Sequence, residues 1–95
     1  MLNVENAKQC IGHLDQSSFD THDFIEQFKI DFEREYVDLL YAYITVSNGI
    51  YRAAHAHIGR FLSENQNQLN IRSTDRVISP NTKRGMSENQ EWEKC

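Results

Sequence analysis

The stretch THDFIEQFKIDFEREYVDLLYAYITV, Thr21 to Val46, decides how the rest of the chain is read. From Ile25, large apolar or aromatic residues recur at Phe28, Phe32, Tyr36, Leu39, Tyr43 and Val46, with spacings of 3, 4, 4, 3, 4 and 3. Those spacings hold them on one face of a 3.6-residue period, a pattern no strand can use. The spacing predicts one long helix of ~39 Å at 1.5 Å per residue. A globule of this length has a radius of gyration near ~13 Å, so such a rod spans the domain or projects from it. Its first half alternates the apolar face with Asp23, Glu26, Lys29, Asp31, Glu33, Arg34 and Glu35, as a surface helix does. From Tyr36 to Val46 the only formal charge is Asp38, so this part is expected to be covered on more than one side, by flanking helices or by a second copy of the chain.

Towards the N-terminus, Val4 to His13 reads as a short helix. Asn3 is its N-cap, Glu5 suits the positive end of the dipole, and Ala7, Ile11 and Leu14 form an inward stripe. Leu14 to Asp20 reads as a turn, with Phe19 placed to staple onto the long helix and Asp20 or Thr21 to cap it. Towards the C-terminus, Ser47-Asn48-Gly49 stops that helix, with Asn48 or Gly49 as the left-handed C-cap residue. Asn-Gly is also a hairpin signal, but Arg52-Ala53-Ala54-His55-Ala56 has poor strand propensity. A third helix is predicted from Ile50 to Gln66 or Gln68, with Ala54, Ile58, Phe61 and Leu62 inward. Its small residues, Ala53, Ala54, Ala56 and Gly59, permit a close helix crossing.

Beyond Ile71 the composition changes. Arg76 to Ser79 reads as a short strand ended by Pro80, and Asn81 to Gly85 as a loop. Ser87 to Gln90 matches the capping box S-x-x-Q, which predicts a terminal turn carrying Trp92. The expected fold is mainly α: a small helical domain of three principal helices around one long central helix, with a short irregular or β-like C-terminal segment. Residues 1–95 are read as a single domain, with 72–95 as a loosely packed C-terminal extension.

Charged residues at 25% and apolar residues at 39% describe a soluble chain with a thin core. No run approaches the ~20 apolar residues of a membrane span, and no basic start with an apolar region marks a signal peptide, so a cytoplasmic location is expected. Cys10 and Cys95 are too few for a disulfide framework and are read as free thiols. The net charge of −4 is divided unevenly. Residues 1–50 hold three Lys/Arg against nine Asp/Glu, whereas residues 51–95 hold seven against five. Arg52, Arg60, Arg72, Arg76, Lys83 and Arg84 face only Glu64 and Asp75 before Ser87. Such asymmetry fits a polyanion-binding face or acidic and basic surfaces that meet between subunits.

Residues able to carry chemistry are few. His55 and His57, two apart on a helix, point ~200° apart and cannot share one metal. Cys10 and His13 are better spaced, but a zinc site needs further ligands, so no metal or cofactor is expected. Asp31, Glu33, Glu35 and Asp38 read as the wet face of a helix rather than catalytic carboxylates. No nucleophile motif or phosphate-binding glycine loop is present, and an enzyme with a small-molecule substrate is not expected.

Two non-enzymatic readings follow. The favoured one is a small adaptor, inhibitor or regulator working by protein contact, through an acidic helix face that carries Phe28, Phe32, Tyr36 and Tyr43, with Trp92 as a further anchor. Its partner is another protein or a second copy in a homodimer. The alternative is a nucleic-acid binder of roughly winged-helix shape, in which the third helix with Arg52 and Arg60 approaches a duplex. Arg72, Arg76, Lys83 and Arg84 then add charge, and the 81–85 loop acts as a basic wing.

Overall fold

The long helix is broken in two. In the computed structural model of the chain, which describes residues 2–46 and 49–95, the elements run α1 (Val4–His13), β1 (Ser18–Asp20), α2 (Thr21–Asp31), α3 (Glu33–Ala42), α4 (Ile50–Glu64), α5 (Gln66–Leu69), β2 (Ile71–Pro80) and β3 (Met86–Lys94). Phe32, at φ −137° and ψ 56°, leaves helical geometry and separates α2 from α3. A straight rod of ~39 Å would exceed the 37 Å longest dimension of the molecule and carry its second half off the core. Bending at Phe32 returns α3 to α4, where Tyr36 and Leu39 are buried. Glu33 and Glu35 then lie in the first turn of a new helix, at its positive end.

The helix stop at Ser47-Asn48-Gly49 falls partly on Ser47 and Asn48, which lie outside the described residues. Gly49 has φ +105°, a region that favours glycine, and precedes α4 as its N-cap. Ile50, the residue that would open the second strand of a hairpin, is the first residue of α4. At the chain's start, α1 spans the expected residues, and the Asn3 side chain accepts the Asn6 N–H at 2.8 Å.

The fold is mixed α and β, not mainly α. A three-stranded antiparallel sheet has the order β1-β3-β2, so β3 pairs on both edges. Phe19, read as a helix staple, instead sits in β1 opposite Trp92 of β3, and both are buried. The Ser87–Gln90 capping box starts no terminal turn. A cap contributes about 1 kcal/mol, whereas the strand gains two ladders and the burial of Trp92, and tertiary structure overrides the local signal.

The sequence leaves residues 72–95 as an extension; in the structure they carry most of the sheet. They hold all of β3 and nearly all of β2, and are tied to the helices at two buried points. Trp92 Nε1–H donates to Thr21 Oγ1 at 3.0 Å, and the Thr21 hydroxyl donates to the Gln90 carbonyl at 3.2 Å. Asn89 accepts the His22 backbone N–H at 2.9 Å and donates its own amide to the Val77 carbonyl and Ser79 Oγ. The core lies between this sheet and the helices, with Ala7, Cys10, Phe24, Phe28, Leu39 and Ile58 among its fully buried members. Among the described residues, no helix is long and apolar enough to cross a membrane.

Candidate functional site

α4, the start of α2 and the β2–β3 hairpin enclose an open groove of about 750 Å³. Local sequence places each wall. Along α4, Arg52, Ala56, Arg60 and Ser63 recur at four, four and three residues and face the groove, with Gly59 beside them. Arg52 and Arg60 are two turns apart, ~12 Å along the helix axis, and the small residues between them leave the space open. Opposite stand Arg76 of β2 and Glu88 of β3, joined at 3.3 Å from Arg76 Nε.

The hairpin tip closes one end of the groove, and its shape is set by Asn81. The Asn81 side-chain oxygen accepts the backbone N–H of Lys83 at 3.0 Å and of Gly85 at 3.1 Å, while the Asn81 backbone N–H donates to the Gly85 carbonyl at 2.8 Å. Arg84 occupies the left-handed region at φ +66° inside this turn. Lys83 Nζ lies over the Tyr51 ring, 5.7 Å from its centroid, which pins the tip to the first turn of α4. Thr82 Oγ1 reaches Glu26 of α2 at 3.4 Å.

Four cations, Arg52, Arg60, Arg76 and Lys83, therefore border the groove against one carboxylate, Glu88. They come from positions spread over 32 residues, on α4, on β2 and in the turn between β2 and β3. None of the acids at Asp31, Glu33, Glu35 and Asp38 lines it. The excess of negative charge in the chain thus sits elsewhere, and the groove is a local positive site on an acidic protein.

The remaining cations are placed apart. Arg72 pairs with Glu93 across the sheet, and Arg84 stands exposed at the hairpin tip. The aromatic residues proposed for partner contact are mostly taken up inside the chain. Phe28 and Trp92 are buried in the core, so neither offers a surface to a partner. Tyr36 is also buried, with Oη 2.8 Å from His55 Nε2. Phe32 at the joint and Tyr43, 3.0 Å from His57 Nδ1, are half-buried against the core.

His22, His55, Asn81, Ser87 and Asn89 also line the groove; the sequence places Asn81 in the 81–85 loop, His55 beside His57 and Ser87 in a capping box, but gives none of the five a role as an individual groove residue. The signal for Asn81 was its place before Thr-Lys-Arg-Gly, where a side-chain turn is favoured. His22 contacts two serines, with Nδ1 at 2.8 Å from Ser79 Oγ and Nε2 at 3.4 Å from Ser87 Oγ. His13 Nδ1 is engaged with Asp31 at 2.6 Å. Burial pushes the Cys10 thiol up to about 12, helped by the Asp31 carboxylate, which keeps it protonated and unreactive.

His55 is held down to about 4 from an ordinary 6.5, first by burial and then by the neighbouring His22 and Lys29, with Lys83 adding less, against an opposing pull from Glu26. Tyr36, raised to about 12 chiefly by burial, keeps its proton and can donate it to the neutral imidazole. A folded pKa below the unfolded one means that the neutral ring favours folding at pH above 6.5, and this contribution is lost as the pH falls towards 4. The urea midpoint is therefore expected to drop across that window, and His55→Gln is expected to flatten the decline.

Compared with known protein families, curated proteins and solved structures, the chain matches none.

Proposed function

We propose that the chain binds double-stranded DNA, with α4 in the major groove and the β2–β3 hairpin beside it. The observation that carries this reading is the gathering of Arg52, Arg60, Arg76 and Lys83 around one groove. The groove takes one phosphodiester strand: its walls are cationic, its small residues leave room for a sugar-phosphate chain, and polar groups at Asn81, Ser87 and Gln90 supply further hydrogen bonds. A strand held there lies between a helix on one side and a hairpin tip on the other. The helix then enters the ~12 Å major groove of B-DNA, which an α-helix fits, while the deep, narrow major groove of A-form RNA excludes it. The exposed tip at Lys83 and Arg84 follows the far side of the same strand.

The succession of elements supports the same reading. One helix, a short strand, helices and then a hairpin, with sheet order β1-β3-β2 and the hairpin tip beside the last long helix, corresponds to a winged helix to which α3 is an addition. The protein-contact reading loses support because Phe28, Tyr36 and Trp92 serve the chain's own core.

Fluorescence anisotropy of a labelled duplex, titrated at several salt concentrations, tests the proposal. Four phosphate contacts per chain give a log–log salt slope of about −3.6 and a loss of affinity of about 100-fold between 50 and 200 mM salt. The double substitution Arg52→Ala and Arg60→Ala, both at exposed positions, is expected to reduce the slope by about 2. Unchanged binding by that variant, or equal binding of a duplex RNA, would falsify the reading.

A further inference from the structure

In the major groove, base order is recognised by side chains that reach base edges. Arg or Lys suits guanine, Asn or Gln adenine, an acid cytosine, and an apolar group the thymine methyl. α4 offers few of these. Its outer side carries Ala53, Ala56, Gly59 and Ser63 among Arg52 and Arg60, and the longer polar side chains beside them are engaged within the chain. His55 meets the Tyr36 hydroxyl, His57 meets that of Tyr43, and the Tyr51 ring lies under Lys83. Past the helix end, Asn65 donates to the Phe61 carbonyl, and Gln66 holds the Ser63 carbonyl and the Ser73 N–H.

The amides of the hairpin wall are engaged as well. Gln90 donates to the carbonyls of Asp75 and Glu91, Asn89 donates to Val77 and Ser79 while accepting the His22 N–H, and Asn81 is folded into its own turn. None of the three presents the free donor and acceptor pair that an adenine requires. What stays free is charge. Among the described residues, neither Arg52 nor Arg60 has an ion-pair or hydrogen-bond partner. In the DNA-binding reading, on which this inference rests, both take phosphates of the strand in the groove. We infer that the site takes duplex DNA of any base sequence, recognising the phosphate spacing of the B-form and not the order of its bases. Ser63 and Glu64 are the polar base-edge groups left at the end of α4; Glu64 stands outside the groove and is repelled by the phosphates that flank a base edge. A methyl contact from Ala53 or Ala56 with thymine adds only a few-fold. With extents of 27 and 37 Å along its two longer axes, one chain covers about 8–11 base pairs at ~3.4 Å each, so chains load in proportion to duplex length.

Competition fluorescence anisotropy on the full chain is the test, with a labelled duplex displaced by unlabelled duplexes of equal length and unrelated sequence, including alternating adenine–thymine and guanine–cytosine repeats. Their affinities are expected to agree within ~10-fold, whereas specific sites exceed non-specific ones by ~10³ or more. Arg60→Ala is expected to weaken every duplex by the same factor, about 8-fold at 100 mM salt for one phosphate contact. Glu64→Ala is expected to leave the ranking of sequences unchanged, and doubling the duplex length to double the number of chains bound at saturation. A preference above ~10-fold, an Arg60→Ala loss confined to duplexes that contain guanine, a ranking changed by Glu64→Ala, or a stoichiometry independent of length would overturn the inference while leaving DNA binding in place. Failure to bind any duplex would overturn both.

Discussion

Replacing Trp92 with alanine is expected to lower the free energy of unfolding by about 3–5 kcal/mol, the cost of deleting a large buried aromatic and leaving part of its volume empty. Trp92 is 2% exposed and pairs with Phe19 on one side and Ser73 on the other, so both ladders of the sheet lose the same side chain. Its indole N–H is also a donor to Thr21 Oγ1, and removing it leaves a buried hydroxyl short of one partner. A domain of this length has about 5–15 kcal/mol in hand and moves about 4–8 °C per kcal/mol, so the melting temperature is expected to fall by roughly 15 °C or more. Trp92→Phe separates the two contributions: it keeps most of the apolar contact and loses the hydrogen bond, and it is expected to cost about 1–3 kcal/mol. Thermal and urea unfolding of both variants measure the difference. Were Trp92 a contact for a partner, Trp92→Ala would leave the isolated chain as stable as before.

Phe28→Ala is expected to be comparably damaging, at about 3–5 kcal/mol. Phe28 is fully buried near the end of α2 and is the ring on which the two halves of the broken helix meet. Its centroid lies 6.1 Å from Phe24, 6.0 Å from Phe32 and 6.3 Å from Tyr36, the last in an edge-to-face arrangement. Pairs of this kind add to the burial term, and all three are lost together. Because Phe32 is the joint itself and Tyr36 lies beyond it, the variant is also expected to loosen α3 relative to α2, seen as faster amide exchange in Glu33–Ala42 than in Thr21–Asp31. Equal exchange in the two helices would mean that Phe28 does not fix the angle between them.

What the sequence disclosed, it disclosed through local signals. Asn3, Glu5 and the stripe at Ala7, Ile11 and Leu14 are all short-range features, and α1 lies at Val4–His13. The inward set Ala54, Ile58 and Leu62 is buried in α4, and Phe61 is packed at its edge. The bend at Phe32 has no proline or glycine to announce it. The apolar spacing continues straight through Phe32, because both halves still need one inward face. The acids Glu33 and Glu35 after Phe32 were the available hint, since they suit a helix start better than a helix interior.

The sheet was hidden for a different reason. Ser18-Phe19-Asp20 and Met86 to Lys94 are mostly polar and have little strand propensity. They become strands because each is paired along its length with partners far away in the chain, and no window of ten residues contains that information. The groove was half legible. A surplus of cations in the second half was plain from composition, but the separation of Arg72 and Arg84 from the other four follows from the strand register and from the turn at Asn81.

The strand order carries a consequence for how the molecule is made. The middle strand of the sheet is the last of the three to be synthesised, and the two that flank it share no ladder with each other. Until β3 is present, β1 and β2 have nothing to zip onto; β3 then makes a local hairpin ladder with β2 and a ladder with β1 that joins residues more than seventy positions apart. One wall of the cationic cleft is built from that hairpin, so the cleft cannot be complete before the last strand has been made.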